Sequence, residues 1–385
     1  MDQRAVELLF ALLRSALGAT ATAEAEREGI SSETVQALLK MAASHDVDHL
    51  LLLGLKKSGA LPRECAGEEK RILKAIYRHE QLQYEYERLC EALEKAEIPF
   101  LPLKGAVIRG LYPEPWMRTS CDIDVLVHRE DLERAILQLS EQLKYAEKER
   151  ATHDVSLFSP SGVHVELHFD LVEEGRANNA IRILNTVWEK ASLRENSSFW
   201  YEMTDEMFYF YHVAHMAKHF ESGGCGIRPF LDLYLLDQTE GAKAKRDELL
   251  AQGNLLKFTE TARALSASWF GGAELDPLAE QMQDFVLHGG AYGSSENRVA
   301  LQQKKKGGQW GYFVSRLFIP YEKLKRYYPI LEKHRYLMPI MQIRRWFMLL
   351  DPSVARMAKA EMKANSKVSS EHAAETARFL EEIGL

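Results

Sequence analysis

Asp122 and Asp124 stand two residues apart in an otherwise apolar run, Cys121-Asp122-Ile123-Asp124-Val125-Leu126-Val127. Side chains alternate faces along a strand, so both carboxylates point one way while Ile123 and Val125 point the other. Like charges at neighbouring same-face positions repel, and strands disfavour Asp. A divalent cation between them resolves the conflict, because Mg²⁺ takes hard oxygen ligands and completes its shell with substrate phosphates. A strand end whose two acids face water is the other reading of the same residues.

The flanking segments favour the metal. Val163 to Leu171 alternates strictly, with Val165, Leu167 and Phe169 on one face and Glu166, His168 and Asp170 on the other. Glu166 thus supplies a third acid. Upstream, Ile98 to Ile108 reads as a short apolar strand, a sharp turn at Lys104-Gly105 and a helix start. Glycine permits a tight turn and close approach to a ligand, and unpaired helical N–H groups suit a triphosphate. Lys104, Arg109 and Arg118 are cations of the same region. Acids to hold ions beside a phosphate cradle are what nucleotidyl transfer requires.

These segments resemble the DNA polymerase β-like nucleotidyltransferase superfamily, in particular a bacterial family described only as uncharacterised nucleotidyltransferases. The residues concerned are Leu103-Lys104-Gly105, Tyr112-Pro113, Arg118, Asp122 to Val127 and Val165-Glu166-Leu167-His168. His215-Met216-Ala217-Lys218-His219 and Ile227 to Asp232 extend the likeness. Its core covers about residues 98–171, and a weaker helical part runs to about 350. The resemblance implies an α+β fold, with a small mixed β-sheet core flanked by helical regions. It also implies Mg²⁺ (or Mn²⁺) on Asp122, Asp124 and Glu166, an NTP as substrate, and Glu166 helping to deprotonate the attacking hydroxyl. The chain departs from the superfamily at Ala106, where a second small or hydroxyl residue is common. Backbone amides and Lys104 are expected to substitute there, so that Lys104, Gly105, Ala106 and Arg118 bind the triphosphate.

The remaining sequence frames this core. With 385 residues, 27% of them charged and 46% apolar, two or three soluble domains are expected. A net charge of −7 argues against a dedicated non-specific DNA binder. Four scattered cysteines, without metal spacing, read as reduced thiols of a cytosolic protein. The start, Met1-Asp2-Gln3-Arg4, lacks a secretory pattern, since Arg14 interrupts the apolar run. No window approaches the ~20 apolar residues of a transmembrane segment, and the expected compartment is the cytoplasm.

Periodicity divides the chain into a helical region at 1–97, the core at 98–175, a helical domain at 176–350 and a polar tail with a final helix at 351–385. Long helices are expected near 67–97 and 130–144, and a hairpin joins 152–158 to 163–171.

His212, His215 and His219 share one helix face. The pair His215 and His219 lacks the glutamate of a zinc protease, with Ala217 and Lys218 between them. His215, Lys218, His219 and Arg228 are therefore candidates for contacting nucleotide or acceptor, against histidines satisfied in a helical core. Gly223-Gly224-Cys225-Gly226 reads as a helix cap or an anion cradle, His288 to Ser295 is a weaker case, and no P-loop is present.

Residues 304–345 are basic and rich in aromatics, including Lys304, Lys305, Lys306, Trp310, Arg335 and Tyr336. That mixture suits RNA, an anionic lipid surface or a phosphorylated carrier; a solvated surface whose aromatics pack inward is the alternative.

The expected activity is transfer of an NMP from an NTP, ATP first among them, to a hydroxyl or phosphate of an acceptor. Small molecule, RNA and protein all remain open as that acceptor. The rivals are a non-catalytic nucleotide-binding protein and a membrane-surface accessory protein of cell-surface polymer or peptide modification.

Overall fold

The alternating segments build one mixed sheet. Strands β1 (Phe100–Pro102), β2 (Asp122–Val127), β3 (Ala146–Arg150), β4 (Asp154–Phe158) and β5 (His164–His168) lie in the order β1-β2-β5-β4-β3. Only β2 and β5 run parallel; the other pairs are antiparallel. The computed structural model describes residues 3–18, 30–171 and 178–385, so the domain boundary expected at 175/176 lies outside the described residues.

Helices α1 (Gln3–Ala16), α2 (Ser32–Ser44), α3 (Asp48–Lys57) and α4 (Lys70–Lys95) precede the sheet. Within and after it come α5 (Gly105–Ile108), α6 (Leu132–Leu143) and α7 (Asn179–Leu184), then α8 (Asp205–Phe220), α9 (Arg228–Asp237), α10 (Lys243–Gln252), α11 (Leu256–Gly271) and α12 (Pro277–Leu287). A second sheet, β6 (Ala191–Leu193) with β7 (Tyr201–Met203), corrects the reading of this region as helical throughout. Three-residue strands are too short to show a period.

Leu132, Ala135, Ile136, Leu139 and Leu143 recur at helical spacing on α6, as do Leu82, Leu89 and Leu93 on α4. Both stripes pack on Ile123, Val125, Val127, Val155, Leu157, Val165 and Leu167. Each such side chain contributes roughly 1.5–3 kcal/mol by leaving water. One face of the sheet is thereby covered with apolar groups, which leaves the acids to the other.

Buried Glu85 on α4 accepts from Tyr145 Oη (2.8 Å) and Ser161 Oγ (2.7 Å), tying the β4–β5 turn to that helix. Strand β3, which the sequence pattern does not mark, is an exposed edge of Glu147, Lys148, Glu149 and Arg150. Charges on an edge oppose pairing with another chain.

The chain divides into two compact units, residues 1–217 with 226–283, and residues 218–225 with 284–385. The helices expected as a separate N-terminal region, α1 to α4, belong to the same unit as the sheet.

The second unit contains α13 (Ser295–Lys306), α14 (Gly308–Leu317), α15 (Tyr321–Tyr327), α16 (Ile330–Lys333), α17 (Met338–Trp346), α18 (Pro352–Lys367) and α19 (Ser370–Glu382). Val299, Ala300, Tyr312, Ala364, Val368 and Ala373 form its core. The expected polar tail is two capped helices, and Phe379 packs on Phe285 with ring centroids 5.3 Å apart. The two glycine stretches pack on each other: a Cβ at Gly293 would stand 2.5 Å from the carbonyl oxygens of Gly223 and Gly224. Gly223 and Gly224 donate back to Phe220 and His219, so they act as a helix cap.

Candidate active site

Parallel pairing of β2 with β5 sets the acids. Asp122 lies opposite His164, Asp124 opposite Glu166, and Leu126 opposite His168. Because all the acids sit on the face that α4 and α6 leave free, their oxygens converge. Two donor sets result, each with its ligand atoms within 4.8 Å of one another: Asp122, His164 and Glu166, and Asp124, Glu166 and His168. Glu166 belongs to both. His168 Nε2 donates to Asp124 Oδ1 at 3.0 Å and lies 3.4 Å from Glu166 Oε2. His164 Nε2 lies 3.0 Å from Ser156 Oγ, and its Nδ1 is 4.0 Å from Glu166 Oε1.

The turn before α5 supplies the positive charge. Lys104 has φ 38° and ψ −109°, a left-handed conformation that costs a non-glycine residue on the order of 1–3 kcal/mol. It is pinned by Leu103 N–H, which donates to Asp124 O at 3.0 Å. Lys104 Nζ then reaches Asp124 Oδ1 at 3.3 Å.

Burial works to raise the Asp124 carboxyl, but Lys104 and His168 override it and hold Asp124 well below the usual carboxylate range. Asp122 is shifted the opposite way, by burial first and then by the negative charge of Asp124. Burial works to lower Lys104, yet the carboxylate of Asp124 raises it above its ordinary value. The site is therefore an excess of anionic oxygen partly neutralised by one ammonium. Three carboxylates with two imidazoles behind them suit a divalent cation such as Mg²⁺ or Mn²⁺, and the chemistry of the donor set fits such an ion.

The expected triphosphate residues are arranged differently from one another. A Cβ on Gly105 would stand 2.7 Å from Arg118 Nη1 and 3.2 Å from Ser120 Oγ, which is why glycine occupies this turn. The α5 helix is only one turn long, and the amides of Ala106 and Val107 donate back to Leu103 O (3.3 Å) and Lys104 O (3.1 Å). Ala106 thus offers the site no free amide, contrary to expectation.

Arg118 is buried, with Nε and Nη2 donating to Asp232 at 2.9 and 2.8 Å, while Tyr112 Oη donates to the same carboxylate at 2.7 Å. Its remaining nitrogen abuts Gly105, so Arg118 supports the turn from beneath. Lys104 is the cation of the expected set that meets the acids.

The helical candidates separate likewise. Arg228 Nη1 binds Asp46 Oδ2 (2.5 Å) and Thr119 O (2.9 Å), joining α9 to two loops. His212 lies 3.0 Å from Pro229 O through Nε2 and is pushed down in pKa by burial, as a core histidine is. His215 is half-buried on α8, its ring 6.4 Å from Tyr211. Lys218 and His219 fall in the last turn of α8, within the second compact unit. Among the described residues the histidines of α8 form no metal-holding group.

Three residues join the site without having been assigned a role from the sequence. Two are His164 and His168, which flank Glu166 at i−2 and i+2 on the same strand face. The third is Tyr211, whose hydroxyl is raised by burial and then by Asp124, Glu166 and Asp122, opposed by Lys104. Its position one helical turn before His215 was the available signal.

Comparison with known proteins returns a family described as an uncharacterised nucleotidyltransferase, matched over residues 31–271. No curated protein and no solved structure matches the chain. The matched span runs from α2 to the end of α11 and contains both donor sets, the Lys104 turn and the Arg118–Asp232 brace. The chain belongs to this nucleotidyltransferase family.

Proposed function

We propose that this protein transfers a nucleoside monophosphate from an NTP, with ATP the first to test, to a hydroxyl or phosphate of an acceptor. The observation that carries the reading is the sharing of Glu166 between the two donor sets. Asp122, Asp124 and Glu166 would hold two Mg²⁺ or Mn²⁺ ions. Such ions would supply charge neutralisation at the α-phosphate and orient attacking and leaving oxygens.

The residues do the rest. Glu166 takes the proton of an acceptor hydroxyl as its oxygen bonds to the α-phosphorus. The α–β bridge then breaks and pyrophosphate leaves. Lys104 balances negative charge at the triphosphate, Arg118 keeps the turn in place, and His168 orients Asp124 and Glu166 through one N–H. His215, half-buried on α8 one turn after Tyr211, is assigned to the acceptor side. Four free cysteines accord with a cytoplasmic setting, where NTP is supplied.

The test is a screen of α-labelled NTPs with Mg²⁺ and cell extract. Wild-type protein should yield a labelled acceptor, and Asp122→Asn, folded by its thermal midpoint, should yield none. Labelling at the wild-type rate by the variant would overturn the assignment. Binding of Mg²⁺ and ATP by wild-type protein without product would favour a non-catalytic nucleotide-binding protein.

A second reading is supported by the side chains that residues 304–345 leave in solvent. Trp310, four residues after the Lys304–Lys306 run, is 74% exposed, and Tyr336 is 75% exposed. Aromatics and lysines together favour an anionic lipid surface, as for an accessory protein of cell-surface polymer or peptide modification. No helix among the described residues is long and apolar enough to cross a membrane, so such contact would be peripheral.

A further inference from the structure

A cavity of about 980 Å³ opens beside α4, within the first compact unit, and none of the acids described above lines it. Pro102 is on its wall. Pro102 pairs with Val125 across β1 and β2, so the two side chains share the face opposite Asp124. The volume falls in the range of small-molecule sites. Tyr86, Trp200, Tyr201 and Phe208 give it an aromatic wall.

Its polar groups are unusual. Arg109 lines the cavity and is only 6% exposed. Its Nε donates to Gly105 O at 2.8 Å and its Nη2 to Ser120 Oγ at 3.4 Å. Among the described residues no carboxylate pairs with it. Burial, and then the neighbouring Arg118, push its pKa down to about 10. A buried guanidinium normally has an anionic partner, since a bare charge out of water is costly.

The carboxylates of the cavity are committed elsewhere. Asp205 is bonded to Arg246, Glu202 lies 3.4 Å from Arg194, and exposed Glu87 accepts from Gln83 at 2.8 Å. His79, also on the wall, holds a buried Nδ1 that has no hydrogen-bond partner.

We propose that this cavity is a second ligand site, distinct from the acid cluster, which binds a small molecule carrying an anionic group on an aromatic or other planar ring. The anion pairs with Arg109 and the ring lies on the aromatic wall. Since Arg109 also holds the carbonyl of Gly105, the ligand would touch the Lys104 turn from behind. The proposal does not depend on the transfer reaction, because binding alone tests it.

Calorimetry on the full chain, in the absence of metal, is the experiment, with 1-naphthyl phosphate, 1-naphthoate and neutral 1-naphthamide as probes. At least one of the two anions should bind, and whichever binds more tightly distinguishes a phosphate from a carboxylate ligand. The amide should bind at least tenfold more weakly. Arg109→Gln should weaken the anion at least tenfold, and Lys104→Met should leave it within twofold. Should Arg109→Gln not fold, Val107→Trp, a half-exposed position on the cavity wall, should weaken binding by narrowing the space. Equal binding of the amide, unchanged affinity in the Arg109 or Val107 variant, loss of binding in Lys104→Met, or no binding of either anion at millimolar concentration would each overturn the proposal.

Discussion

Lys104 holds the oxygen that the proposed divalent cation would take. The ammonium stands 3.3 Å from Asp124 Oδ1, which already accepts from His168 at 3.0 Å. In the reading proposed here, the lysine competes with the metal in the free protein and assists the triphosphate in the loaded one. Lys104→Met should therefore separate the two roles. Mn²⁺ affinity, read by electron paramagnetic resonance, should rise on the order of tenfold, the effect of one unit charge a few ångströms away in a medium near water. Nucleotidyl transfer should fall roughly 10²-fold, as when one fixed group facing transition-state charge is lost. A variant that loses both metal affinity and activity would contradict this division.

The alternation of Asp122, Asp124 and Glu166 was legible because strand geometry alone decides which side chains share a face. The contact of Lys104 with Asp124 was legible only as proximity in sequence, and Tyr211 hardly at all. Helix α8 meets the site through tertiary packing, of which a local pattern carries no trace.

At the scale of elements, the turn depends on a brace between residues 114 positions apart, Arg118 before β2 and Asp232 on α9. Both residues lie in segments singled out from the sequence, yet nothing in either segment names the other as its partner. Strand β3 escaped for a different reason, since an edge strand of one alanine and four charged residues has no apolar face to alternate. Burial alone would raise the Asp232 carboxyl, but Arg118, with help from His212 and Tyr112, holds it below the ordinary aspartate value.

A depressed folded-state pKa contributes stability that is present above the unfolded value, near 3.9, and is lost as pH falls through the folded value. Denaturant titrations between pH 2 and 5 should show stability falling toward acid. Asp124, shifted the same way, shares in that loss. Asp232→Asn should flatten part of this acid slope. It should also cost about 3–5 kcal/mol at neutral pH, because Arg118 is then buried without its partner. An unchanged slope in the variant would show that the brace does not carry the charge energetics assigned to it.

At the scale of the whole molecule, charge is unevenly placed: the chain carries −7 overall, whereas residues 304–345 are basic. Some of these cations are engaged internally. Arg316 pairs with Glu361, Lys325 with Glu322, and Arg335 lies over Tyr321. The aromatics divide likewise. Tyr312 is buried in the core of the second unit, while Trp310 and Tyr336 stand in solvent. The sequence offered a docking surface and a packed one as alternatives, and the segment holds both buried and exposed aromatics. Periodicity could not sort them, because its helices are short and their exposed faces are themselves apolar.

If the exposed set serves an anionic bilayer, each lysine near the surface is worth about 1 kcal/mol and acts only within a Debye length of ~10 Å at 0.1 M salt. Co-sedimentation with phosphatidylglycerol vesicles should therefore be strong at low salt and weaken as salt rises. Reversing Lys304, Lys305 and Lys306 to glutamate should lower the partition coefficient at least 100-fold. Trp310→Ala should lower it at every salt concentration, since an inserted ring is not screened. Equal binding to phosphatidylcholine vesicles, or indifference to the triple reversal, would leave the exposed lysines as an ordinary solvated surface.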